Sequence, residues 1–212
     1  MTSQDYILLA FLWIAYCGIH SALISITVTD FLKRTLGDNY RFHPLFFNIF
    51  SVSTVVPLLI YSHSARWETE LFFVWKGYVR IIQYGLMALG VILAITGARH
   101  YNMVQFLGIQ QILKRRSGTA MTESGEFDSS GALGIVRHPW YLAVFILLWA
   151  RDLNLAGFII NLVLSVYLII GTLLEERKLV LEFGERYKVY QRQVSMFIPL
   201  KWLRSQGKRS IG

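Results

Sequence analysis

The amino-acid sequence predicts an all-α fold: a polytopic integral membrane bundle of about five transmembrane helices with a C-terminal amphipathic helix at the cytoplasmic face. Three observations predict it. Of the 212 residues, 54% are hydrophobic and 15% aromatic, and mean hydropathy is +0.45, oilier than an ordinary soluble domain of this size. Apolar stretches near the ~20 residues that a spanning helix needs recur along the chain. Lys and Arg collect between alternate stretches, as they do in cytoplasmic loops.

The first stretch runs from Tyr6 to Val28. No basic n-region precedes it and no small-residue cleavage pattern follows, so it reads as a retained helix. The second, Leu45 to Tyr61, is short and contains Pro57, which neighbouring helices accommodate in lipid. The third is Gly77 to Gly97. From Pro139 to Leu174 the chain is long enough for a down-and-back hairpin of two arms, roughly 18 residues and about 27 Å each. Gly157 lies near its middle, and Arg151-Asp152 with Asn154 supply a polar tip where the chain reverses. With five spans and the N-terminus outside, all of the 21 Lys and Arg residues except Arg66, Lys76, Arg80 and Arg151 fall on the inner side. The C-terminus is then cytoplasmic.

The chain reads as a single membrane domain, 1–212. A three-helix part covers 1–103, a cytoplasmic connector 104–136, and the hairpin with its tail helix 137–200. Within the connector, Ser117–Gly131 is rich in turn formers and carries one aromatic, Phe127. It suits either a solvated link or a lid over a cofactor. In the tail, Phe183, Tyr187, Tyr190 and Val194 repeat at i, i+4, i+7 and i+11, the pattern of a helix with one apolar face lying on the membrane surface. Its tyrosines suit interfacial anchoring; the alternative is that one reaches into a cofactor site.

The net charge of +8 resides in juxtamembrane loops and the tail, which points to anionic lipid headgroups rather than nucleic acid. Cys17 stands alone, so there is no internal disulfide. His20, His43, His63, His100 and His138 are scattered without metal-ligand spacing, and no metal is expected. No G-x-G-x-x-G, P-loop or G-x-S-x-G sequence occurs.

Two polar clusters bracket the hairpin: Arg137-His138-Pro139-Trp140-Tyr141 before it and Glu175-Glu176-Arg177 after it. A down-and-back path returns both to one membrane face. Pro139 suits the first turn of a helix, which puts His138 at the helix start, where N–H groups and the positive end of the dipole favour an anion. Arg137 either engages a carboxylate or phosphate in bidentate fashion or satisfies lipid headgroups, and His138 is alternatively an N-terminal cap. Adjacent carboxylates point about 100° apart on a helix, so at most one of Glu175 and Glu176 is expected to face inward, the other solvating the surface or pairing with Lys178 or Arg177.

These residues, with Leu179, Phe183-Gly184, Tyr187, Tyr190 and Phe197-Ile198-Pro199 in their order and spacing, resemble the isoprenylcysteine carboxyl methyltransferase and phospholipid methyltransferase superfamily. The resemblance covers roughly the last hundred residues. Tyr16-x-x-x-His20-Ser21, Tyr40-Arg41 and Phe106-Leu107-Gly108-Ile109-x-Gln111 are most similar to the bacterial branch that includes the methanethiol S-methyltransferases and NnrU-like proteins.

The resemblance implies an S-adenosylmethionine-dependent methyl transfer at the cytoplasmic face of a bacterial inner membrane, to a small thiol or other lipophilic acceptor. It implies cofactor contacts at Phe127, Gly131, His138, Pro139, Tyr141 and Glu175, with Gln111, Glu176 and Tyr187 as further candidates and Arg137 and Glu175 as catalytic ones. Leu133 stands where the family often has tyrosine, and Gly171 where eukaryotic prenylcysteine enzymes carry a substrate-contacting arginine. That second departure points away from prenylcysteine, toward an alkyl thiol or lipid amine. The NnrU-like half, with His20 and His100, offers the alternative of a haem-binding or redox membrane protein.

Overall fold

The computed structural model describes residues 1–99, 107, 109, 112 and 130–209. Its elements are α1 (Ser3–Ile24), α2 (Ile26–Leu36), α3 (His43–Ser62), β1 (Leu71–Phe73), α4 (Val79–Ala98), α5 (Pro139–Trp149), β2 (Leu153–Asn154), α6 (Leu155–Phe183), α7 (Glu185–Gln193) and α8 (Leu200–Arg209). They fall into two compact units, one built on 1–74 and 152–167 and the other on 75–99, 130–151 and 168–209.

In the first unit α1 packs on α2 and α3. Asp5 accepts the Thr2 N–H at 2.8 Å and closes the start of α1. Ser25 ends that helix and caps the next, its Oγ accepting the Val28 N–H at 3.3 Å. Leu9, Trp13 and Cys17, spaced four apart, are buried, while Ile7, Phe11 and Ile14 on the opposite side are exposed. The Trp13 indole donates to Ser62 Oγ at 3.0 Å. Pro57 lies inside α3, as the sequence predicts. Leu71–Phe73 and Leu153–Asn154 pair as a two-stranded antiparallel ribbon.

In the second unit α4 and α5 pack closely. The approach depends on two glycines one heptad apart: a Cβ on Gly90 would lie 2.8 Å from Leu147 Cγ, and one on Gly97 would lie 3.3 Å from the Trp140 nitrogen. Small residues let helix backbones meet in lipid, where no hydrophobic drive pulls them together.

Among the described residues, four helical stretches are long and apolar enough to cross a membrane: Ser3–Ile24, Ile26–Ser62, Val79–Ala98 and Leu155–Phe183. Burial runs inside-out along them. Gln83, Asn161, Ser165 and Thr172 are buried, and large aliphatic side chains such as Ile81, Ile92 and Val166 are exposed. That inversion fits an all-α integral membrane bundle.

The hairpin differs from its expected equal arms. α5 has 11 residues and α6 has 29, about 16 Å against 43 Å. The chain turns at Ala150–Asn154, as the polar tip predicts, but Gly157 lies within the first turn of α6 rather than at the bend. The cause is local. Asn154 Oδ1 accepts the Gly157 N–H at 2.8 Å while its amide donates to the Trp67 carbonyl at 2.8 Å, so α6 starts as soon as Asn154 is fixed.

The tail departs from expectation as well. Gly184, at φ +59°, separates α6 from α7, a conformation that L side chains avoid. The apolar face of α7 packs within the protein: Tyr187 and Tyr190 are 1% and 6% exposed, clustered with Leu179 and Val194. They are not interfacial anchors, because their hydroxyls find protein partners.

Candidate active site

The stretch before α5 is held by the chain that follows α7. Val136 bridges Ser195, the Arg137 N–H donates to the Ser195 carbonyl at 2.8 Å, and the His138 N–H donates to the Met196 carbonyl at 3.2 Å. Pro139 opens α5 at the first turn, as predicted. His138 does not cap it with its side chain; instead the ring turns toward α6 and is 2% exposed.

Glu176 is the centre of the cluster. Its Oε1 accepts Arg137 Nε at 2.6 Å, His138 Nε2 at 3.1 Å and the Tyr187 hydroxyl at 3.5 Å, and its Oε2 accepts Gln191 Nε2 at 3.0 Å. Arg137 Nη1 donates to the carbonyls of Gln191 and Val194. This differs from pairing Glu176 with Arg177 or Lys178, or leaving Arg137 to a ligand or headgroup. Both side chains are over nine-tenths buried, and a buried charge is tolerated only when paired and hydrogen-bonded. The Tyr187 phenol is pushed well above its ordinary range, first by burial and then by the neighbouring carboxylate. It therefore remains a neutral donor.

With Nε2–H given to a carboxylate that only accepts, His138 presents Nδ1. That atom lies 3.8 Å from Glu175 Oε2, beyond hydrogen-bond reach. Both atoms are buried and unpartnered among the described residues. Buried polar atoms are nearly always satisfied, so a pair of orphans aimed at one spot is where a ligand's donor groups belong. Glu176 thus bonds one nitrogen of the imidazole, while Glu175 stands off from the other.

Tyr141 stacks on His138 at 5.6 Å between ring centroids, 19° from parallel. Gly131 opens a 3₁₀ turn with φ +57°, and the carbonyl of buried Leu133 in that turn accepts the Tyr190 hydroxyl at 2.6 Å. Gly171 faces open space. Gln111, Phe127 and His100 lie outside the described residues. His20 belongs to the first unit, where its Nδ1 bonds the Tyr167 hydroxyl at 2.7 Å.

Gln191 is the residue that motif reading misses. Its amide holds Glu176 and its carbonyl accepts from both Arg137 and Lys201. One signal was available: Gln191 stands four residues after Tyr187, on the same helix face.

Six curated proteins match the chain, all named methanethiol S-methyltransferase. Methanethiol S-methyltransferase 1 of Bradyrhizobium diazoefficiens is 33% identical over 55% of this chain and 40% of its own length. The protein of Pseudomonas deceptionensis is 34% identical over 45% of this chain and 36% of its own. That of Mycobacterium tuberculosis is 28% identical over 70% of this chain and 61% of its own. The chain is similar to bacterial methanethiol S-methyltransferases. The resemblance drawn from the C-terminal motifs therefore stands, although each of the first relatives is matched over less than half its length. No family model and no solved structure matches.

Proposed function

We propose that this chain is an integral membrane methyltransferase that uses S-adenosylmethionine and acts on a small thiol or other lipophilic acceptor at the cytoplasmic face of a bacterial inner membrane. The observation that carries the reading is the orphan pair, His138 Nδ1 and Glu175 Oε2, buried at the start of an 11-residue helix. Two acceptors converging on one spot fit the ammonium or ribose hydroxyls of that cofactor, and the helix start suits its carboxylate. The relatives' names support a methyl transfer to a thiol.

In this reading Glu175 and His138 bind, and the Tyr141 ring lines the same side. Arg137, Glu176, Gln191 and Tyr187 orient His138 without meeting the ligand. Gly131, Pro139, Gln111 and Phe127 complete the cofactor side. S-adenosylmethionine supplies an electrophilic methyl group on a sulfonium. The protein's contribution is positioning in a water-poor site, since methyl transfer asks little acid–base work and a thiol acceptor reacts as its thiolate. Gly171 leaves out the substrate-contacting arginine of the eukaryotic prenylcysteine enzymes, which favours a smaller acceptor.

Calorimetry on detergent-purified protein tests the cofactor: the parent binds S-adenosylmethionine and Glu175→Ala binds at least tenfold more weakly. Absence of heat in the parent, or equal affinity in Glu175→Ala, overturns the proposal. Radiolabelled methyl donor offered with alkyl thiols, prenylcysteines and phospholipids, scored by product mass, then identifies the acceptor.

A further inference from the structure

α7 spends its apolar face inside the protein, yet the chain goes on to build a second amphipathic helix. α8 runs from Leu200 to Arg209, beyond the tail helix that the sequence pattern suggests. Ile198 is 65% exposed, and Leu200 and Leu203, three apart on one side of α8, are each 53% exposed, with Trp202 also open. Lys201 and Arg204, again three apart, occupy the adjoining side. The helix is tied at its start: Ser195 Oγ accepts the Lys201 N–H at 3.1 Å, and Lys201 Nζ donates to the Gln191 carbonyl at 2.6 Å. Ten residues are too few for a helix to be stable in water without a surface to pack on.

What covers that surface follows from charge. After Glu185 the sequence contains no Asp or Glu, while Arg186, Lys188, Arg192, Lys201, Arg204, Lys208 and Arg209 are all basic. A second copy docking on α8 would bring the same cations face to face, at a cost. A lipid surface does not. We infer that α8 lies in the plane of an anionic bilayer surface, Leu200, Leu203 and Trp202 seated among the acyl chains and Arg204 on the headgroups, with the charges that Lys208 and Arg209 bring to the sequence adding to the attraction. Lys201 is committed to Gln191 and adds little. This docking is independent of the methyltransferase reading.

Amide hydrogen exchange of residues 203–209 tests it, with the full chain in nanodiscs of phosphatidylcholine alone or of phosphatidylcholine with phosphatidylglycerol. Three cations, Arg204, Lys208 and Arg209, at roughly fivefold each slow exchange on the order of a hundredfold in the anionic discs. Raising salt from 50 mM to 500 mM removes most of that difference, as does replacing Arg204, Lys208 and Arg209 together by Gln. Equal exchange in both lipids overturns the inference. So does protection that follows protein concentration rather than lipid charge, which would mark a second copy as the occupant.

Discussion

Replacing Arg137 by Met isolates what the buried guanidinium does. Its Nε lies 2.6 Å from Glu176 Oε1, with the two side chains 7% and 8% exposed, and its Nη1 serves two carbonyls of the α7 end. Removing one member of such a pair leaves a buried carboxylate without its cation, which costs about 3–5 kcal/mol. For a chain of this size that is a fall of about 6–20 °C in melting temperature, readable by circular dichroism in detergent. Adding Glu176→Leu removes the stranded charge, so the double variant recovers at least about 2 kcal/mol of the loss. Arg137→Lys keeps the charge, but a single ammonium cannot occupy the Nε and Nη1 positions together, so it falls between parent and Arg137→Met. A single variant costing under about 1 kcal/mol, or a double variant costing the sum of both singles, would refute the pairing argument.

Three further outcomes are expected. Tyr190→Phe leaves the Leu133 carbonyl buried and unpaired and lowers stability by about 1–3 kcal/mol, measured by denaturant unfolding. Gly90→Ala drives a Cβ to 2.8 Å from Leu147 Cγ and costs about 1–3 kcal/mol; combining it with Leu147→Ala costs less than the two separate losses added together. Because the folded Tyr187 phenol has a raised pKa, its contribution is intact below the ordinary tyrosine value of about 10 and is lost as pH rises above it. The melting temperature of the parent therefore declines above about pH 10 more steeply than that of Tyr187→Phe.

Much of this architecture is legible in the sequence because a membrane makes composition speak loudly. Length, oiliness and the polar tip at Arg151–Asn154 place the helices and the turn. What they obscure is how the apolar run divides: its total length suggests two equal arms, although the polar tip itself marks the stop just after Trp149. Periodicity likewise marks Tyr187 and Tyr190 as one face without saying whether lipid or protein meets it, since both are apolar partners. At the site, the 100° offset of adjacent helical residues suggests that at most one of Glu175 and Glu176 faces inward. It fails to foresee that both approach one imidazole, each toward a different nitrogen. The fate of Arg137 was unreadable because two of its partners are backbone carbonyls, which carry no side-chain signature.

The saturation of Glu176 has a consequence for how this protein can change. Two identical letters stand side by side, yet they are under unlike constraints. Position 176 is locked to positions 137, 138 and 191, so a neutral residue there becomes tolerable only when position 137 gives up its cation in the same lineage. Position 175, whose Oε2 meets no partner among the described residues, is under no such lock, and on the proposed reading its drift records the ligand rather than the fold.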